Sequence, residues 1–120
     1  MPFKSLLNRL LEDIPGALGA IIIDWEGEAV DHVARMEDYD IKVFGAHNGI
    51  ILQLLRDAMA RIDCGVLQEV LIRTGENKTL LAPLTDEYFL VLTLGPQSIA
   101  SPAAFRMRCC VAELRPEFEF

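Results

Sequence analysis

Basic residues are scarce in this chain. Eleven lysines and arginines stand against 18 aspartates and glutamates, giving a net charge of −7 over 120 residues and a pI near 4.7. Nucleic acid is thereby excluded as a partner, because its phosphates would be repelled, and so is an anionic membrane surface. Long apolar runs are missing too. No stretch approaches the roughly 18 residues of a membrane span, and the opening segment MPFKSLLNRLLEDIPG lacks both the apolar run and the small-residue cleavage site of a secretory signal. Glycine is thinly spread. Gly16 and Gly19 sit at a helix end and a strand start, the wrong order for a phosphate loop that opens a helix, so no nucleotide site is indicated. The only histidines, His32 and His47, fall in different predicted elements, and no CxxC, HxxxH or HExxH spacing gathers ligands on one face. Neither a metal nor any other cofactor is expected.

Nucleophiles are equally few. Cys64, Cys109 and Cys110 are an odd number, and neighbours on a helix point about 100° apart and do not bridge each other easily. Cys64 falls at the negative end of a predicted helix, which raises a thiol pKa rather than lowering it, and reads as a small packing residue. Cys109 and Cys110, beside Met107 and Val111, read as buried soft hydrophobes. The chain is thus expected in the cytoplasm with reduced thiols. Asp24, Glu26 and Glu28 alternate around a turn and read as solvated, since nothing apolar surrounds them to shift a pKa. No catalytic residue stands out.

What the chain does have is apolar residues, 52% of the total with 24% charged, enough for the core of one domain over residues 1–120. Phe3, Leu6, Leu7, Leu10, Leu11 and Ile14 repeat at helical spacing until Pro15-Gly16. Leu18 to Ile23 and Glu28 to Ala34 form a hairpin around Asp24-Trp25-Glu26-Gly27. Glu37, Asp38 and Asp40 precede a long helix from Asp40 to Ile62, which Asp38 or Asp40 can cap and Gly65 can close in a left-handed conformation. Strands Val66 to Thr74, Lys78 to Leu84 and Tyr88 to Leu94 follow with connections short enough to force antiparallel pairing. Ser101-Pro102 supplies an N-cap and a first-turn proline for a last helix through Leu114, and the tail RPEFEF frays. The fold class is α+β, in the order α-β-β-α-β-β-β-α around one antiparallel sheet.

The long helix carries more apolar surface than so small a domain can cover. Ile41, Phe44, Ile51, Leu55, Ala58, Met59 and Ile62 form a stripe read as core-facing, and Val43, Ala46, Ile50 and Leu54 form a second beside it. A second copy of the chain is the expected cover, because a self-complementary helix face is the simplest two-fold interface. Lys42, Gln53, Arg56 and Asp57 are left as a polar edge for another partner. An arginine finger from Arg56 or Arg61 is disfavoured, since both sit inside a rigid helix.

The block LLNRLLEDIPGALGAIIIDWEGEAVDHVA, with its leucine-rich helix, small-residue strand start and Asp-x-x-Gly turn, resembles the opening of the Roadblock family of dynein light-chain-like domains. The likeness continues through the central helix, the segment VLIRTGENKTLLAPLTDEYFLVLTL and the closing helix with Phe105-Arg106, spanning residues 5–115. Ser101-Pro102-Ala103 departs from the family, which often has Asn or Gly there. The resemblance implies a profilin-like, five-stranded antiparallel sheet with the central helix on one face and the terminal helices on the other. It also implies dimerisation through the central helix and the next edge strand, adding Val70 and Ile72 to the interface. Family members act as dimeric platforms, and stand-alone bacterial ones resemble gliding-motility regulators that bind a Ras-like small GTPase and accelerate its hydrolysis. That activity needs no catalytic residue in this chain. The alternatives are a structural dimeric adaptor in a larger assembly and a profilin- or PAS-like sensor with an interior small-molecule pocket.

Overall fold

A computed structural model describes residues 2–118. Helix α1 (Pro2–Asp13) leads into the hairpin β1 (Ala17–Asp24) and β2 (Ala29–Ala34), then α2 (Asp38–Arg61), the meander β3 (Val70–Arg73), β4 (Lys78–Pro83) and β5 (Tyr88–Leu94), and α3 (Ala100–Leu114). The strands form one antiparallel sheet in the order β2-β1-β5-β4-β3. This is the expected element order, with α2 on one face and α1 and α3 on the other.

The central strands explain themselves. A continuous apolar run is buried on both faces, so β1 alternates Ala20 and Ile22 toward α1 and α3 with Ile21 and Ile23 toward α2. Phe89 and Val91 of β5 face α2 in the same way, while Leu90 and Leu92 face the terminal helices. Leu7, Leu10, Leu11 and Ile14 of α1 and Ala103, Met107, Val111 and Leu114 of α3 close that second layer. The β1–β2 turn is held by Asp24, whose Oδ1 accepts the backbone N–H groups of Glu26 at 3.0 Å and Glu28 at 2.9 Å. Gly27 supplies the left-handed residue the turn requires, with φ at +91°.

Several boundaries differ from expectation. Helix α2 begins at Asp38, its N-cap is Glu37, and no side chain caps it. Asp38 reaches back instead to His32 of β2, whose Nε2 donates to its Oδ1 across 3.1 Å. At the other end Asp63 adopts the left-handed conformation, φ 51°, directly after the C-cap Ile62, and Gly65 does so two residues later. Strand β3 is shorter than Val66 to Thr74, since the chain before Val70 is drawn toward α3 by a bidentate Arg108–Glu69 pair at 2.7 and 2.8 Å. Helix α3 is entered at Ile99, so Ser101 lies inside it rather than capping it. The entry is fixed earlier, by Ser98, whose Oγ donates to the Pro15 carbonyl at 2.6 Å.

The tail is not frayed over its first residues. Arg115–Phe118 form a 3₁₀ turn, Arg115 donates to the Leu84 and Pro83 carbonyls, and Phe118 stacks on Phe3 with ring centroids 4.8 Å apart. The rest of the segment called frayed, 119–120, lies outside the described residues.

The larger correction concerns α2. Its buried residues are Ile41, Gly45, Asn48, Gly49 and Leu52, so of the stripe read as core only Ile41 is fully buried, and Ile51 and Ile62 are exposed. Small residues win the sheet-facing side because they let the helix settle close. A Cβ at Gly49 would lie 2.7 Å from Cζ of Phe89, and one at Gly45 would lie 3.0 Å from Cγ2 of Ile21. The spacing of branched apolar residues therefore marked the helix's flank rather than its base. No described helix is long and apolar enough to cross a membrane.

Candidate functional site

Helix α2 lies over β1, β2 and β5, and β3 forms the sheet's far edge. Its second stripe is where water would be. Val43 and Ala46 are half-buried, whereas Ile50 and Leu54 are 61% and 64% exposed. Single exposed apolar residues are ordinary, but adjacent branched ones on one helix face call for a cover. Ile51, 39% exposed, and Ile62 extend this surface around the helix.

The tip of the β1–β2 hairpin stands beside the same face. Trp25, Ala46, Gly49, Ile50, Gln53 and Leu54 line a shallow open groove between the tip and α2, with Asp24 and Glu26 at its rim. The other two residues assigned to the interface, Val70 and Ile72, are half-buried on the α2 side of β3, against the same apolar cluster that Leu67 and Phe44 border. Within one chain the structure thus brings Ala46, Ile50 and Leu54 together and leaves Val70 and Ile72 at the opposite edge of the sheet.

The polar edge is partly engaged with itself. Gln53 donates from Nε2 to Asp57 Oδ1 at 3.0 Å, Lys42 is exposed, and the Arg56 guanidinium sits 4.4 Å from the centroid of the Trp25 ring. Trp25 in turn packs on Phe89, with ring centroids 4.7 Å apart. Sequence reasoning took Trp25 only as a turn residue. The available signal was an aromatic in a turn otherwise made of Asp, Glu and Gly, which has to bury its ring against something.

Chemistry within the chain stays sparse. Asp24 spends its carboxylate on the turn, and the ring of His47 bonds the Val43 carbonyl one helical turn back at 2.9 Å. The hydrogen bond from His32, helped by the charge of that ring, holds the Asp38 carboxyl below its ordinary value. Among the described residues no group of three or more histidines, cysteines and carboxylates is assembled as for a metal. Cys110 is buried as expected, and burial pushes its thiol up to about 12, which leaves it un-ionised at neutral pH. Cys64 and Cys109, by contrast, are exposed rather than packed. Cys64 lies beyond the end of α2 on an exposed stretch, and Cys109 falls on the outer side of α3 because its neighbour Cys110 takes the inner one.

Comparison with known proteins narrows what such a surface belongs to. A family model described as Roadblock/LC7 domain matches residues 4–94. No curated protein matched the chain. Among solved structures, MglB of Myxococcus xanthus superposes with a TM-score of 0.88 at 12% identity, covering 98% of this chain and 95% of that one. A Roadblock/LC7 domain from Streptomyces avermitilis gives 0.85 at 18% identity, covering 94% of each chain. MglC of Myxococcus xanthus gives 0.72 at 23% identity, covering 98% of this chain and all of that one.

Proposed function

The chain belongs to the Roadblock/LC7 domain family, and on that footing we propose that it acts as a homodimeric, non-catalytic module that binds a Ras-like small GTPase and modulates its GTP hydrolysis. The observation that carries the reading is the apolar face of α2, with Ile50 and Leu54 left in water in the isolated chain. In a two-fold dimer the α2 stripe of one copy, Val43, Ala46, Ile50 and Leu54, meets the β3 edge of the other, Val70 and Ile72. Patches that one chain keeps apart are then joined in trans. Lys42, Gln53, Arg56 and Asp57 remain as the edge facing the GTPase.

Regulation by such a module consists of positioning groups that the GTPase already owns. The reading sets the protein in the cytoplasm and treats residues 1–120 as one domain. An interior-pocket sensor fits less well, because Ile41, Leu52 and Phe89 fill the space between α2 and the sheet.

The test is a titration of a Ras-like GTPase from the same organism, loaded with GDP or a GTP analogue, with hydrolysis followed in parallel. A regulator must touch the switch loops, which the γ-phosphate and Mg²⁺ order, so its affinity should depend on the nucleotide. Equal affinity for both states with unchanged hydrolysis removes the regulator and leaves a structural adaptor.

A further inference from the structure

The face of the sheet away from α2 carries a second surface. On β3 the side chains alternate, and while Val70 and Ile72 turn toward α2, Leu71 and Arg73 line a groove against the start of α3. Lys78, Pro96, Ile99 and Ser101 complete it. Leu71 is 49% and Ile99 70% exposed.

Its charge is the opposite of the chain's. Although carboxylates outnumber cations 18 to 11, no Asp or Glu lines this groove, and its two charged residues are Arg73 and Lys78. These two are direct cross-strand partners in the β3–β4 register. Like charges directly opposite on one face of an antiparallel pair destabilise it, and a carboxylate between them would reverse the sign. None is supplied from within. Lys78 is held by the Ser98 and Pro96 carbonyls, and exposed Arg73 makes no ion pair among the described residues.

We propose that the groove between β3 and the start of α3 docks an extended acidic segment of a partner protein, with an aliphatic side chain between Leu71 and Ile99 and a carboxylate between Arg73 and Lys78. The spacing fits. Leu71 and Arg73 are two residues apart on one face of a strand, roughly 7 Å, and acidic and aliphatic residues two apart in an extended segment have the same separation. The site shares no residue with the α2 surface, although its Leu71 and Arg73 alternate on β3 with Val70 and Ile72 of the proposed dimer edge.

The probe is a blocked serine pentapeptide carrying leucine at its second position and glutamate at its fourth, two apart on one face when extended, titrated into the ¹⁵N-labelled full chain. Amide shifts should centre on Leu71, Arg73, Lys78 and Ile99, weaken with salt, and require about tenfold more peptide in Arg73→Glu. Ile99→Ser should weaken binding as well, and because Ile99 is exposed and lies off β3, that variant is free of any effect on self-association. In the unbound protein at low salt, Arg73→Thr should melt above wild type as the like-charge pair is relieved. The proposal is overturned if a glutamate–serine peptide or inorganic phosphate gives the same shifts at the same concentration. Shifts elsewhere, indifference to both substitutions, or a lower melting temperature for Arg73→Thr would also overturn it.

Discussion

The guanidinium of Arg56 lies over the ring of Trp25, 4.4 Å from its centroid, and ties the tip of the β1–β2 hairpin to the middle of α2. Trp25 is the only tryptophan, so tryptophan fluorescence reports on this one site. Arg56→Ala should shift the emission to the red and cost about 0.5–1 kcal/mol, the range of a partly exposed cation–π pair. Trp25→Ala should cost more, about 2–4 kcal/mol, because it also strips the ring that covers Phe89. Chemical denaturation ranks the two, and equal costs would mean that the stacking of Trp25 on Phe89 adds nothing.

Gly49 sets how closely α2 approaches the sheet. Gly49→Ala gains about 1 kcal/mol of helix propensity. The new methyl, however, would sit 2.7 Å from the buried Phe89 ring, and overpacking of this kind costs about 1–3 kcal/mol. A net loss of up to about 2 kcal/mol is expected, with a smaller one for Gly45→Ala, whose nearest neighbour is 3.0 Å away. Thermal unfolding of the two variants side by side checks the order.

Self-association is the next expectation. Because Ile50 and Leu54 are largely exposed in the single chain, Ile50→Asp and Leu54→Asp should change protomer stability by no more than about 0.5 kcal/mol and still dissociate the dimer. Sedimentation equilibrium at micromolar concentration should return a dimer for wild type and a folded monomer for each variant. A folded wild-type monomer under those conditions ends the dimer reading.

The Glu69–Arg108 pair makes a small part of the stability depend on pH. The hydrogen bond from the Arg108 guanidinium holds the Glu69 carboxyl below its ordinary value in the folded chain. A carboxylate depressed on folding contributes stability that is complete above its unfolded pKa and is lost as pH falls through the lowered one. The contribution should therefore vanish on the acid side of the ordinary carboxylate range. NMR titration of Glu69 should give a midpoint that rises in Arg108→Gln, and an unmoved midpoint would show that the pair is not formed in solution.

Much of this fold was legible in the residues. The leucine repeat of α1, the continuous apolar run of β1 and the short connections of the β3–β5 meander dictate their own conformations, since each pattern has one period and one way to be buried. Boundaries set by distant partners were not. Strand β3 begins late because Arg108 holds Glu69, and α3 begins early because Ser98 is tied to Pro15, contacts 39 and 83 residues away in sequence. The same limit applies at the candidate site. Helical spacing identified two apolar stripes on α2 and took the first as the sheet-facing one, wrongly, since only its Ile41 is buried; three of the five buried residues, Gly45, Asn48 and Gly49, carry no hydrophobic signal. The exposure of Ile50 and Leu54 was foreseen; the arrival of Trp25 beside them depended on where a hairpin tip comes to rest.

The two sides of the sheet are unequally filled. Among the described residues the layer under α1 and α3 holds nineteen buried apolar residues, and the layer under α2 holds seven. The chain thus keeps the greater share of its apolar burial under the terminal helices and leaves α2 on the lighter side. Surface changes along α2 can accumulate without eroding the scaffold, so lineages of such a domain are free to exchange partners faster than they lose their shape.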